Sequence, residues 1–429
     1  MTGIPVNDVT NSRTGTFRRL DYAKITIFGL AISALWGSLH SIVLPMRLLD
    51  FVAESEKNTY LGVLTLSGLL LAMIIQPVAG AISDRSTFDW GRRKPYILIG
   101  TLIAILLIPG IGLFGSYAAI FSTYCLLQIS TNTAQGPYQA FIPDFVPENR
   151  RGTASGVKSL LEIIGGFGLV YLIVRAGNYF SSEGVSWLWL VLGIQSVFLL
   201  ATMLITVITV KEQPHATSPV SPLSSALFKS FKIDFRENPG FLIFMISRLF
   251  FIMALTTLQS FAFYFLQDVV RVADAATATS ELLLFVGLGL LAGVVPAGLL
   301  SDRLGRKPVL VFSGALGALG VLILFFAPGF AYILFGGALI GISGGTFLSS
   351  NWALATDLVP RNEEARYLGL ANMATAGGAA LARLIGPVID FFNRLSFGTG
   401  YQVMLLTCCV YFIAGAGLVL KVKKPSDQK

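Results

Sequence analysis

Charge is what this chain has least of. Only 13% of its 429 residues are Asp, Glu, Lys or Arg, against 54% hydrophobic residues, and the mean hydropathy is +0.73. A soluble domain carries roughly a quarter charged residues, so water is excluded as the solvent for most of this surface. Cysteine and histidine are scarce as well, three and two residues. Cys125, Cys408 and Cys409 lie inside apolar runs, which excludes a disulfide framework and leaves them as packing residues. No His, Asp and Glu stand at ligand spacing, so neither a metal nor a cofactor is expected, and the chain does not read as an enzyme. No G-x-x-x-x-G-K-S/T occurs, which excludes a built-in ATPase motor. The alternation of barrel strands is missing. Residues 1–24 carry Arg13, Arg18, Arg19 and Lys24 but no apolar core followed by a small-residue cleavage site, so no cleaved signal peptide is read.

What the chain does have is a succession of apolar runs long enough for a bilayer core about 30 Å thick. Lipid offers the backbone no hydrogen-bond partners, so such runs must be helices. The sequence predicts an all-α membrane protein with helices near 25–46, 59–83, 95–115, 118–142, 153–174 and 186–210. A second six lie near 240–266, 281–301, 308–327, 330–352, 366–391 and 400–420. The implied units are a tail (1–24), a first bundle (25–210), a Pro-, Ser- and Lys-rich linker (211–239) that also holds His215, a second bundle (240–420) and a C-terminal tail (421–429).

The basic residues sort by side. With the N-terminus inside, only Arg47, Lys57, Arg175, Arg271 and Arg394 fall at outer loops, and Lys158, Arg248 and Arg383 fall within helices. All others are inside, which places both termini in the cytoplasm. The net charge of +8 therefore reports topology and anionic membrane lipid, and no nucleic-acid partner is expected.

The two sets of six repeat each other. Gly80, Asp84 and Arg85 in GAISDRSTFDWGRRKP match Gly298, Asp302 and Arg303 in GLLSDRLGRKP. One register, 213 residues, relates Pro95 to Pro308 and also Asp144, Val146, Pro147 and Asn149 to Asp357, Val359, Pro360 and Asn362. Leu39-His40-Ser41 answers Leu258-Gln259-Ser260. Two homologous six-helix bundles follow, and a parallel repeat of this kind places a ligand site near the midplane between them.

At these residues the chain resembles the major facilitator superfamily, whose loop between the second and third helices carries G-x-x-x-D-R-x-G-R-R/K. The extended first loop resembles the branch of sucrose transporters and glycoside, pentoside and hexuronide symporters. Gln135-Gly136-Pro137 through Ala140 and Asp144 are similar to the Q-G-P-x-R-A-x-x-x-D of sucrose transporters, with Gln139 standing where that pattern has Arg. The resemblance implies a multi-pass secondary transporter of the plasma or cell inner membrane with the twelve-helix major facilitator fold. It further implies a small-molecule substrate, a proton or other coupling cation, alternating access and a functional monomer. A sugar or glycoside moved by proton symport is the leading expectation, with an exporter of amphipathic compounds and a non-transporting assembly or sensor protein as the competing readings. Asp84, Arg85, Arg92, Arg93, Asp302, Arg303 and Arg306 are then a conformational latch, with Asp84 accepting from amides that start a helix of the other half. The competing reading of these charges is headgroup anchoring.

Candidate site residues come from polar groups at helical spacing. Gln128, Asn132, Gln135 and Gln139 form an amide ladder on one face, either lining a watery cavity or bonding helices together. The equivalent face of the second bundle reads Gly341, Gly345, Leu348 and Trp352, where Trp352 is either a platform for a sugar ring or an interface anchor. Arg248 shares a face with Gln259, and Arg383 with Asn372 and Asp390. Each arginine fits an anionic or hydroxyl-rich ligand, or an internal salt bridge. Lys158 and Glu162, four apart, are candidates for proton coupling or a static ion pair. His40 is the one histidine within a helix and a further candidate for carrying the proton, or a satisfied hydrogen-bonding group.

Overall fold

The computed structural model describes residues 18–181, 186–212, 238–358 and 364–422, and all regular elements among them are helical. The described residues form twelve rods. In the first half they are α1 (Arg19–Leu48), α2 (Lys57–Asp84), α3 (Lys94–Leu113), α4 (Tyr117–Gln139), α5 (Glu148–Ser181) and α6 (Trp187–Thr209). The second half holds α7 (Pro239–Val270), α8 (Ala275–Leu304), α9 (Arg306–Phe326), α10 (Phe330–Leu358), α11 and α12 (Thr399–Lys421). The rod α11 runs from Glu364–Leu381 through a 3-10 turn at Ala382–Ile385 into Gly386–Leu395. Residues 1–17 of the tail, 213–237 of the linker with His215, and 423–429 lie outside the described residues.

Eleven of these helices are long and apolar enough to cross a membrane. The twelfth rod, α4, is the one carrying Gln128, Asn132, Gln135 and Gln139, together with Ser130, Thr131 and Thr133. The ladder that marks it as a candidate site also depresses its hydropathy. Two rods outrun their apolar stretches. α8 begins at Ala275 because the Asp274 carboxylate accepts from the amides of Ala276 and Thr277, an N-cap that hydropathy does not register. α10 continues to Leu358, which puts Trp352 within the helix rather than at its end.

Short connections make sequential rods antiparallel, so the loops bearing the two charged motifs share one face, the motif face, and the starts of α2, α8 and α12 share the far face. Within the first half α4 packs on α2 and α3, and α1 on α5 and α6. In the second half α10 packs on α8 and α9, and α12 on α7 and α9. The halves meet chiefly through α2 against α11, α5 against α8 and α1 against α7. Gly341 and Gly345 set the α8–α10 distance, because a Cβ at either would strike the backbone carbonyl of Val286 or Leu290. Large exposed side chains such as Leu106, Ile208 and Phe326 belong to the lipid-facing perimeter.

Three rods carry a π-helical segment: Leu39–Val43 in α1, Ile164–Leu169 in α5 and Leu266–Val270 in α7. Such widened turns are concentrated at functional sites in helical proteins. Here they contain His40, Phe167 and Asp268.

Candidate functional site

Between the halves lies a polar cavity of about 320 Å³. The first half contributes Ser33, Trp36 and His40 from α1, Gln135 from α4, and Glu162 and Phe167 from α5. The second half contributes Gln259 and Ser260 from α7 and Arg383 from α11. Five of the sequence candidates thus meet in one space: Gln135, His40, Glu162, Gln259 and Arg383.

Arg383 is the most unusual of them. Its side chain is buried, one terminal nitrogen donates to the Ala379 carbonyl, and Nε has no hydrogen-bond partner among the described residues. A buried donor left unbonded costs about 1–3 kcal/mol, more when it belongs to a charged group. Across the cavity Glu162 is already balanced, its carboxylate 2.9 Å from Lys158 Nζ with both side chains partly exposed. The positive charge of Arg383 is therefore not cancelled by Glu162.

His40 is held by α1 and α4 together. Its ring stacks on Trp36 at 5.0 Å, and Nε2 lies 2.8 Å from the Tyr124 hydroxyl. That hydroxyl accepts from Gln128 Nε2 at 2.9 Å, which leaves its own hydrogen free to point at His40 Nε2.

The ladder of α4 divides into three levels. Gln128 and Asn132 are buried, Asn132 Nδ2 donating to Gln128 Oε1 at 3.0 Å and Gln128 in turn donating to the Tyr124 hydroxyl. Gln135 lines the cavity, and Gln139 is exposed. Arg248 stands apart from the cavity lining. It donates to Thr375 Oγ1 at 2.8 Å and to Asn351, with its guanidinium 4.8 Å from the centre of the Trp352 ring. The face of Trp352 is thereby occupied by a cation from its own half. Asp390, which shares a helix with Arg383, faces the other half instead.

That carboxylate belongs to a set of residues that sequence reasoning did not join. At the far face Asp390 accepts from Asn58 Nδ2 at 2.8 Å and from the Thr59 amide and hydroxyl, each at 2.6 Å, capping the start of α2 from the opposite half. Beside it, Lys57 Nζ is 2.8 Å from Asp268, which also accepts from the Tyr401 hydroxyl at 2.6 Å. Lys57 and Asp268 have only 4% and 9% of their side chains exposed. Tyr264 donates to the Pro45 carbonyl, Asn178 to Thr277, and Arg394 pairs with Glu56, so six elements are stitched across the halves there.

At the motif face the ion pairs seen among the described residues run within each half. Arg93 contacts Asp84 at 2.5 Å and Asp144 at 3.1 Å, and Arg92 contacts Asp144 at 2.8 Å. Arg306 bridges Asp302 and Asp357. Arg303 is exposed, and Arg85 has a partner of its own. Asp84 thus pairs with an arginine of its own half, because Arg93 reaches it from the adjacent start of α3.

Comparison with known proteins bears on the family and the fold. A family model described as MFS/sugar transport protein matches residues 29–422. A lactose permease of Leuconostoc lactis is 24% identical over 193 residues, 41% of this chain and 30% of that protein. A sucrose transport protein of Oryza sativa subsp. japonica is 35% identical over 114 residues, 21% of each chain. The matched stretches thus span under a third of these relatives' own length. The crystal structure of a D-xylose-proton symporter superposes with a TM-score of 0.69 at 16% identity, covering 95% of this chain and 98% of that one.

Proposed function

The chain belongs to the MFS/sugar transport protein family, a family of multi-pass membrane transporters rather than enzymes, and from that premise we propose that it moves a sugar or glycoside by alternating access. In this reading twelve helices span the plasma or cell inner membrane as two homologous bundles, both termini are cytoplasmic, and the chain works as a monomer among anionic lipids. The substrate sits in the cavity between Gln135, Gln259 and Arg383, and a proton is co-transported through Glu162, with Lys158 and His40 setting its surroundings.

The observation that carries this reading is the buried Arg383 with an unbonded Nε, lining a cavity that also holds two amides without hydrogen-bond partners among the described residues, Gln135 and Gln259. Guanidinium and amide groups together offer donors and acceptors in the pattern that a hydroxyl-rich ring returns. Glu162 supports the coupling role because protonation would release Lys158, a change that a passive carrier does not need. The cross-half bonds of the far face support a state closed on that side, with the motif face as the one that parts.

Uptake into proteoliposomes tests the proposal. A panel of hexoses and glycosides under an imposed gradient of one pH unit is expected to give accumulation of up to about tenfold for a one-proton symport, the equivalent of about 1.4 kcal/mol. Glu162→Gln is expected to abolish accumulation while leaving downhill flux, and Arg383→Gln to abolish both. Accumulation that ignores the gradient and Glu162 rejects proton symport. Absence of saturable flux for every sugar, with reconstitution verified, rejects sugar transport.

A further inference from the structure

The polar cavity has a neighbour inside the second half. A chamber of about 220 Å³ is lined by hydrocarbon from α7, α8, α10 and α12, including Leu255, Leu258, Val286 and Leu290. Among the described residues Gln259 is the one polar side chain of its lining. A buried water needs two to four polar partners, so a space with one amide at its edge does not hold water well, and it suits an apolar group. A cavity of roughly 150 Å³ lined in this way accepts benzene, so the chamber has room for one ring with a short substituent.

Two residues line both spaces: Phe167, from the π-helical segment of α5, and Gln259 of α7. The polar and apolar spaces are therefore adjacent, with an aromatic side chain and an amide at their boundary. Gln259 has no hydrogen bond to a described residue, which leaves it available to a linking oxygen between a polar and an apolar group.

We propose that the substrate is an amphipathic glycoside whose sugar ring occupies the polar cavity while a single apolar aglycone ring fills the chamber of the second half. This rests on the sugar-transport reading and narrows it. Gln259 bonds the glycosidic oxygen at the boundary, and Phe167 packs on the aglycone where it enters. The chamber gives specificity to the end of the ligand that the polar residues do not touch.

The full chain in nanodiscs, titrated with methyl, phenyl and p-nitrophenyl glycosides of glucose and galactose and with phenol alone, tests this. Burial of one aromatic ring predicts phenyl glycosides binding roughly 30-fold more tightly than the matching methyl glycosides. Gly344 provides a graded obstruction, because a Cβ there would lie 3.6 Å from Leu255, an ordinary contact, and a longer side chain would enter the chamber. Gly344→Leu is expected to remove the phenyl preference while changing methyl-glycoside affinity less than twofold. Leu255→Ala, which enlarges the chamber, is expected to shift preference toward naphthyl glycosides, and it decides the matter should Gly344→Leu fail to fold. Equal affinity for phenyl and methyl glycosides, or a phenyl preference untouched by both variants, overturns the aglycone chamber and leaves the sugar reading standing. Phenol binding as tightly as phenyl glycosides, or no glycoside binding at all, overturns the sugar reading itself.

Discussion

The two faces of the molecule use similar side chains to opposite ends. At the far face Lys57, Asp268 and Asp390 join one half to the other, and they are largely withdrawn from solvent. At the motif face Arg92, Arg93, Asp84 and Asp144 hold the first half to itself, while Arg306, Asp302 and Asp357 do the same for the second. Asp390 takes the role the sequence assigns to Asp84, a carboxylate accepting the orphan amides that start a helix of the opposite half. Where ion pairs cross the boundary, separation must break them, and where they stay within a half, separation costs them nothing. The named contacts make the far face the tied one.

Four single substitutions and one double variant break or sharpen that contrast, read as Tm and as distances between spin labels at Glu54 and Ser396 on the far face and at Asp89 and Leu304 on the motif face. The largest effect belongs to Lys57→Met, which leaves Asp268 buried without its cation and is expected to destabilise the tied arrangement by about 3–5 kcal/mol. The far-face distance should lengthen. The double variant Lys57→Met with Asp268→Leu should restore most of the loss, since an apolar pair replaces a buried ionic one at little cost. A far-face distance unmoved by Lys57→Met would remove the basis of the comparison.

Asp390→Ala comes next, withdrawing the cap from α2, with an expected cost of about 2 kcal/mol and a smaller lengthening at the same labels. Arg93→Ala should cost about 1.5–2 kcal/mol through its lost charge-assisted bonds. It should appear as a lowered Tm with the far-face distance unchanged, and lengthening there would show that the two faces are not separate. Arg394→Ala, an exposed partner of Glu56, is expected to cost under about 1 kcal/mol and to lose even that in high salt, measured as Tm against salt concentration.

Helix positions were legible because lipid imposes a length and a polarity on each rod, and local spacing alone makes Lys158 and Glu162 a pair. The four amides of α4 illustrate the limit. Periodicity puts Gln128, Asn132, Gln135 and Gln139 on one face, but depth along that face decides which are buried in a network, which reach the cavity and which are exposed. Arg248 could be aligned with Gln259 by spacing, yet its partners Asn351 and Thr375 come from α10 and α11, which no single-helix pattern names. The far-face pairs join residues 211 and 332 positions apart, Lys57 with Asp268 and Asn58 with Asp390. Lys57 reads as a loop cation by its place in the chain, and its burial comes from the side chains of Asp268 and Tyr264 on α7 together with the packing of α2 against α11.

The widened turn of α5 sets how the two ends of that helix are phased. Before it stand Lys158 and Glu162, and beyond it stand Arg175 and Asn178, which reach Glu281 and Thr277 of α8. Each residue of an α-helix advances the azimuth by about 100°, and a π segment amounts to one extra residue in the spiral. Shortening Ile164–Leu169 by a single residue would leave both helical ends intact yet rotate one against the other by roughly that angle, so the cavity carboxylate and the α8 contacts could no longer be satisfied together.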